Sequence, residues 1–129
     1  MNHFLIGLGL WNLIGACFMF LLLNKKFGND FLVKWSQIFK EPYSLNYYGK
    51  FWLCWAIGIN LFYGFINCWA VKWDYIHVKT DLIFFNLIIY FIILAILIYG
   101  LIKSNKLGPG AYIAGVIWAF FIGWGIYVL

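Results

Sequence analysis

Residues 82–102 decide the fold of this chain, and they read LIFFNLIIYFIILAILIYGLI. The stretch carries no charged side chain, and Asn86 is its only strongly polar one. A helix needs about 20 mainly apolar residues to cross the roughly 30 Å of hydrocarbon in a bilayer. The stretch therefore predicts a membrane-spanning α-helix.

Three further stretches on either side of it have a similar length and the same apolar character. They run from His3 to Leu23, from Phe51 to Val71 and from Ala111 to Leu129. Because short links make neighbouring helices antiparallel, these spans predict an up-down bundle. We expect an all-α integral membrane protein, with residues 1–129 forming a single four-span domain.

The composition of the whole chain excludes several classes of protein. Of its 129 residues, 66% are hydrophobic and only 10% are charged. A soluble domain has about 25% charged residues, so this chain has too few charges to cover a surface that faces water. A soluble secreted domain, a disordered chain and a nucleic-acid-binding protein are all excluded. Membrane lipids are the expected surroundings.

The lysines predict how the spans are oriented. All nine positive side chains are Lys, and seven of them lie in the loops of residues 24–50 and 103–110. The link between the second and third spans holds only Lys72 and Lys79. Lysine-rich loops stay in the cytoplasm. We therefore expect those two loops to be cytoplasmic and both termini to be extracytoplasmic, in a plasma (inner) membrane.

The first loop contains a second type of helix, predicted over residues 30–40. Its apolar side chains fall on one helical face, and they are Phe31, Leu32, Trp35, Ile38 and Phe39. Lysines and polar residues occupy the opposite face. Such a helix lies in the headgroup plane of the membrane, where it anchors the chain or offers a docking face.

Polar side chains inside the spans are few, and no Asp, Glu, Lys, Arg or His lies deep in any of them. Proton-coupled exporters place a carboxylate or a His in the membrane, so that class is disfavoured. The main polar groups are Asn12, Asn60, Asn67 and Asn86. Their depths predict two layers, Asn12 with Asn60 and Asn67 with Asn86. Two interpretations stay open: the layers hold helices together, or they line a cavity or a pore.

Small residues recur every four positions along two of the spans. The fourth span has Ala111, Gly115, Ala119 and Gly123, and the second has Ala56, Asn60, Gly64 and Cys68. Such spacing lets helix backbones approach closely. We expect the stripe of the fourth span to face protein, either the stripe of the second span or a neighbouring subunit. The third span is bulky on every side, and we expect it to face lipid or a large apolar partner.

Two weak candidates for metal binding lie at the predicted outer surface. Asp74, His77 and Asp81 would share one face if their segment were helical, and they could then hold a divalent metal or act as acid and base. His3 could bind Cu(II) together with the amino terminus, since that donor set suits a square-planar ion. Solvated side chains are the simpler interpretation of both, and we expect no cofactor.

Three functions remain open. The first is a non-catalytic accessory or oligomerising subunit of a membrane complex, which tight-packing stripes and uncharged spans favour. The second is a binder or carrier of a small apolar molecule or lipid in an Asn-lined cavity. The third is an outer-surface metal site or enzyme at Asp74, His77 and Asp81. The lack of any recognisable catalytic set favours a protein without enzymatic activity.

Overall fold

A computed structural model describes residues 1–23, 47–103 and 109–129 of the chain. In these segments the protein is helical and has no strand. The helices are α1 (Asn2–Leu23), α2 (Tyr47–Ala70), α3 (Ile76–Lys103) and α4 (Pro109–Val128). The amphipathic helix predicted for residues 30–40 lies outside the described residues.

Each of the four helices contains an apolar segment long enough to cross a membrane. These segments are Asn2–Leu21, Leu53–Ala70, Ile76–Gly100 and Gly110–Val128. The prediction of four helices of membrane-spanning length and composition is therefore confirmed. Their up-down order in a bilayer and the single four-span domain stay predictions.

Helix α3 begins at Ile76, earlier than the predicted span at Leu82. Hydropathy marks where the hydrocarbon ends, whereas a helix can continue into the headgroup region on polar residues. The added turns contain His77 and Asp81, both exposed. The hydroxyl of Thr80 donates a hydrogen bond to the carbonyl of Ile76 at 3.0 Å, within the first turn. At the other link, α4 begins at Pro109, where the missing N–H costs no helical hydrogen bond.

The helices form two compact units, one of α1 with α2 and one of α3 with α4. In the first unit the pair is antiparallel, because Gly9 of α1 lies against Cys68 while Gly15 lies against Asn60. The buried residues of α1 recur at intervals of three or four, including Leu5, Leu8 and Asn12. This spacing gives α1 one continuous buried face.

The second unit is also an antiparallel pair. Leu97 of α3 and Ala111 of α4 form a buried cluster, and Leu94 and Trp118 pack against it. Further along, the rings of Tyr90 and Phe121 stack with centroids 6.3 Å apart. One face of α3 thus packs on α4, while most of its other large side chains are exposed.

Candidate functional site

The helices of the first unit approach closely at Gly9 of α1 and Gly64 of α2, and we call this contact the glycine crossing. A Cβ on Gly9 would lie 2.9 Å from the carbonyl oxygen of Gly64 and 3.1 Å from the backbone nitrogen of Cys68. A Cβ on Gly64 would lie 3.2 Å from the carbonyl oxygen of Gly9. At Gly9 a Cβ does not fit unless the helices shift, since one obstacle closer than 3.0 Å is a backbone atom; at Gly64 the backbone atom is farther away and would have to move by only a few tenths of an ångström.

Side chains from the neighbouring turns close around the glycine crossing. The Sγ atom of Cys68 would lie 2.5 Å from a Cβ on Gly9, and Leu13 Cγ would lie 2.6 Å from a Cβ on Gly64. Cys68 is half-buried, whereas Cys17 and Cys54 are exposed, and all three thiols are free. The thiol of Cys68 therefore acts as a small packing group in this contact.

Asn60, Gly64 and Cys68 of α2 thus lie against α1, and Gly9 is the contact residue that sequence reasoning missed. Gly64 belongs to the predicted four-residue repeat, but Gly9 has no such repeat in α1. The only signal in the sequence was a glycine inside an apolar span, where it weakens the helix unless close packing requires it.

Each of the four asparagines in the apolar helices donates a hydrogen bond within its own helix. The side-chain nitrogen of each donates to the carbonyl oxygen four residues earlier at 2.8 Å, in the pairs Asn12–Leu8, Asn60–Ala56, Asn67–Tyr63 and Asn86–Leu82. Such a carbonyl has a second lone pair, so it accepts this bond beside the helical one. This bond satisfies one N–H of each amide and so lowers the cost of placing the amide in an apolar helix.

In the structure, the residue of α1 that is level with Asn60 is not Asn12. The Oδ1 atom of Asn60 lies 3.6 Å from where a Cβ of Gly15 would be, so Asn60 is level with Gly15. Gly15 is about 4.5 Å along α1 from Asn12 at 1.5 Å rise per residue. A direct contact of Asn12 with Asn60 stays a prediction.

Asn67 and Asn86 are the most deeply buried of the four asparagines. Their side chains are 0% and 2% exposed, whereas Asn12 is 7% exposed and Asn60 is half-buried. In the described part of the chain, no buried side-chain nitrogen or oxygen atom lacks a hydrogen-bond partner. Asn67 and Asn86 belong to different units, and their predicted pairing stays a prediction.

The small-residue stripe of α4 is divided between two environments. Ala111 is fully buried, and a Cβ on Gly115 would lie 2.9 Å from Leu97 Cδ2, so this half packs on α3. Ala119 and Gly123 are exposed, and a Cβ on Gly123 would meet no atom within 4 Å. The packed half of the stripe therefore contacts α3, a partner that the sequence did not indicate.

An open apolar groove lies along the exposed side of α2. It has a volume of about 330 Å³ and is lined by Trp55, Gly58, Ile59, Phe62 and Tyr63. At Gly58 a Cβ would meet nothing within 4 Å, and the ring of Phe62 stands edge-on to that of Tyr63 with centroids 5.8 Å apart. The described residues of this lining include no asparagine, so the groove differs from the predicted Asn-lined cavity.

The candidate metal ligands are all at exposed positions. Asp74 precedes α3, while His77 and Asp81 lie in its first turns, and His3 is exposed near the start of α1. Over residues 1–23, 47–103 and 109–129, no three His, Cys, Asp or Glu side chains are grouped so that they could hold a metal ion. The structure therefore does not assemble Asp74, His77 and Asp81 into a site.

No protein-family model, curated protein or solved structure matches this chain.

Proposed function

We propose that this chain is a non-catalytic integral membrane protein that works through helix packing, as an accessory or oligomerising subunit of a membrane complex. The observation that carries the proposal is the divided stripe of α4. Ala111 and Gly115 are used against α3, whereas Ala119 and Gly123 continue the same spacing on an exposed surface. We place the protein in a plasma (inner) membrane with both termini outside, on the strength of the lysine distribution.

An exposed groove of small residues gains packing energy only against a suitable neighbour. Against fluid lipid tails, missing side chains bring little benefit. Against another helix they let the backbones approach, and many small dispersion contacts then add up. The exposed half of the stripe, at Ala119 and Gly123, therefore supports a contact with a second copy or with a larger membrane protein.

Two isoleucine substitutions in α4 test this proposal. Gly115→Ile places bulk against Leu97, so we expect a loss of about 1–3 kcal/mol in stability without a change in oligomer size. Gly123→Ile adds bulk in open space, so we expect unchanged stability of the protomer and a smaller assembly. Thermal unfolding and native mass spectrometry in mild detergent measure the two quantities.

Gly58→Ile on α2 is the matched control, because it also adds isoleucine at an exposed glycine with open space around it. Its assembly should keep the size of the unmodified protein. If Gly123→Ile leaves the assembly unchanged, the exposed half of the stripe faces lipid and the proposal loses its support.

Binding of a small apolar molecule or lipid is the second candidate function, and the groove over Gly58 is the observation that favours it. Aromatic and aliphatic walls suit an acyl chain, and the described lining residues include no acidic or basic side chain for a charged ligand. Native mass spectrometry separates this candidate from the first. A lipid retained by the unmodified protein and lost in Gly58→Ile would favour the binder, while a lost subunit contact in Gly123→Ile would favour the packing role.

A further inference from the structure

We draw no further inference here: the strongest candidate, the open apolar groove over Gly58 on the exposed side of α2, belongs to the site already described, and nothing in the structure shows what covers it.

Discussion

Replacing Gly9 by alanine should weaken the contact between α1 and α2. The new Cβ would lie 2.5 Å from Cys68 Sγ and 2.9 Å from the carbonyl oxygen of Gly64, whereas carbon atoms in good contact are about 3.5–4.0 Å apart. Because the second obstacle is backbone, the helices must separate rather than repack. A gap of about 0.5–1 Å forfeits a quarter to a half of each dispersion contact across it. Overpacking of this kind costs roughly 1–3 kcal/mol.

Alanine also stabilises a helix relative to glycine, which opposes the cost of the clash. The variant Gly58→Ala on α2 measures this stabilisation alone. Alanine is favoured over glycine inside a helix by up to about 1 kcal/mol. Gly58 has open space around its missing Cβ, so Gly58→Ala should be neutral or stabilising by up to about that amount. The difference between the two variants cancels the helix preference, and it should be about 1–3 kcal/mol.

Reversible unfolding in mixed micelles, with SDS as the denaturant, can measure this difference. The eight tryptophans of the chain provide the fluorescence signal. Equal stability of Gly9→Ala and Gly58→Ala would refute the close approach of the backbones at the glycine crossing.

A double-mutant cycle at the other side of the crossing checks the same geometry independently. A Cβ on Gly64 would meet mainly the side chain of Leu13, at 2.6 Å from both Cγ and Cδ2. Truncating that side chain should therefore relieve the clash, so that Leu13→Ala costs less in a Gly64→Ala background than alone. Contacting residues show couplings of about 0.5–3 kcal/mol, and additive effects would contradict the contact.

Three further expectations concern topology, the asparagines and metal binding. A cysteine replacing Asn2, in a chain freed of its own cysteines, should react with an impermeant thiol reagent outside intact cells; labelling from the cytoplasmic side alone would reverse the orientation. Cysteines at Asn67 and Asn86 in the same background should cross-link under mild oxidation, and failure to do so would remove the predicted layer. Zinc added to the purified protein should not raise its unfolding temperature. A rise that disappears in His77→Ala would restore the metal-site interpretation.

The spans could be predicted from the sequence because their signal depends on length and composition alone. Four apolar segments appear in the structure where the sequence placed them. The boundaries shifted where polar residues stay helical outside the apolar segment, as at the start of α3 and in α2, which begins at Tyr47 rather than at Phe51. Depth counted from span ends assumes that facing spans end at the same level, and it did not predict that Asn60 is level with Gly15.

Partner choice and register could not be read from the small residues, and the geometry of α4 shows why. A spacing of four residues advances about 400° on a helix with 3.6 residues per turn, so each step turns the stripe by about 40°. From Ala111 to Gly123 the stripe therefore rotates by about 120° around the axis of α4.

The residues on the packed face of α4 are instead spaced by alternating steps of four and three. They are Ala111, Gly115, Trp118, Ile122 and Gly125, all buried or half-buried. This alternation is the 3.5-residue period of antiparallel helix pairs, and the repeat of four leaves it after Gly115. A small side chain permits close contact, but its angular position around the helix axis decides which neighbouring helix it contacts. The same stripe can therefore support internal packing at Gly115 and offer a free surface at Gly123.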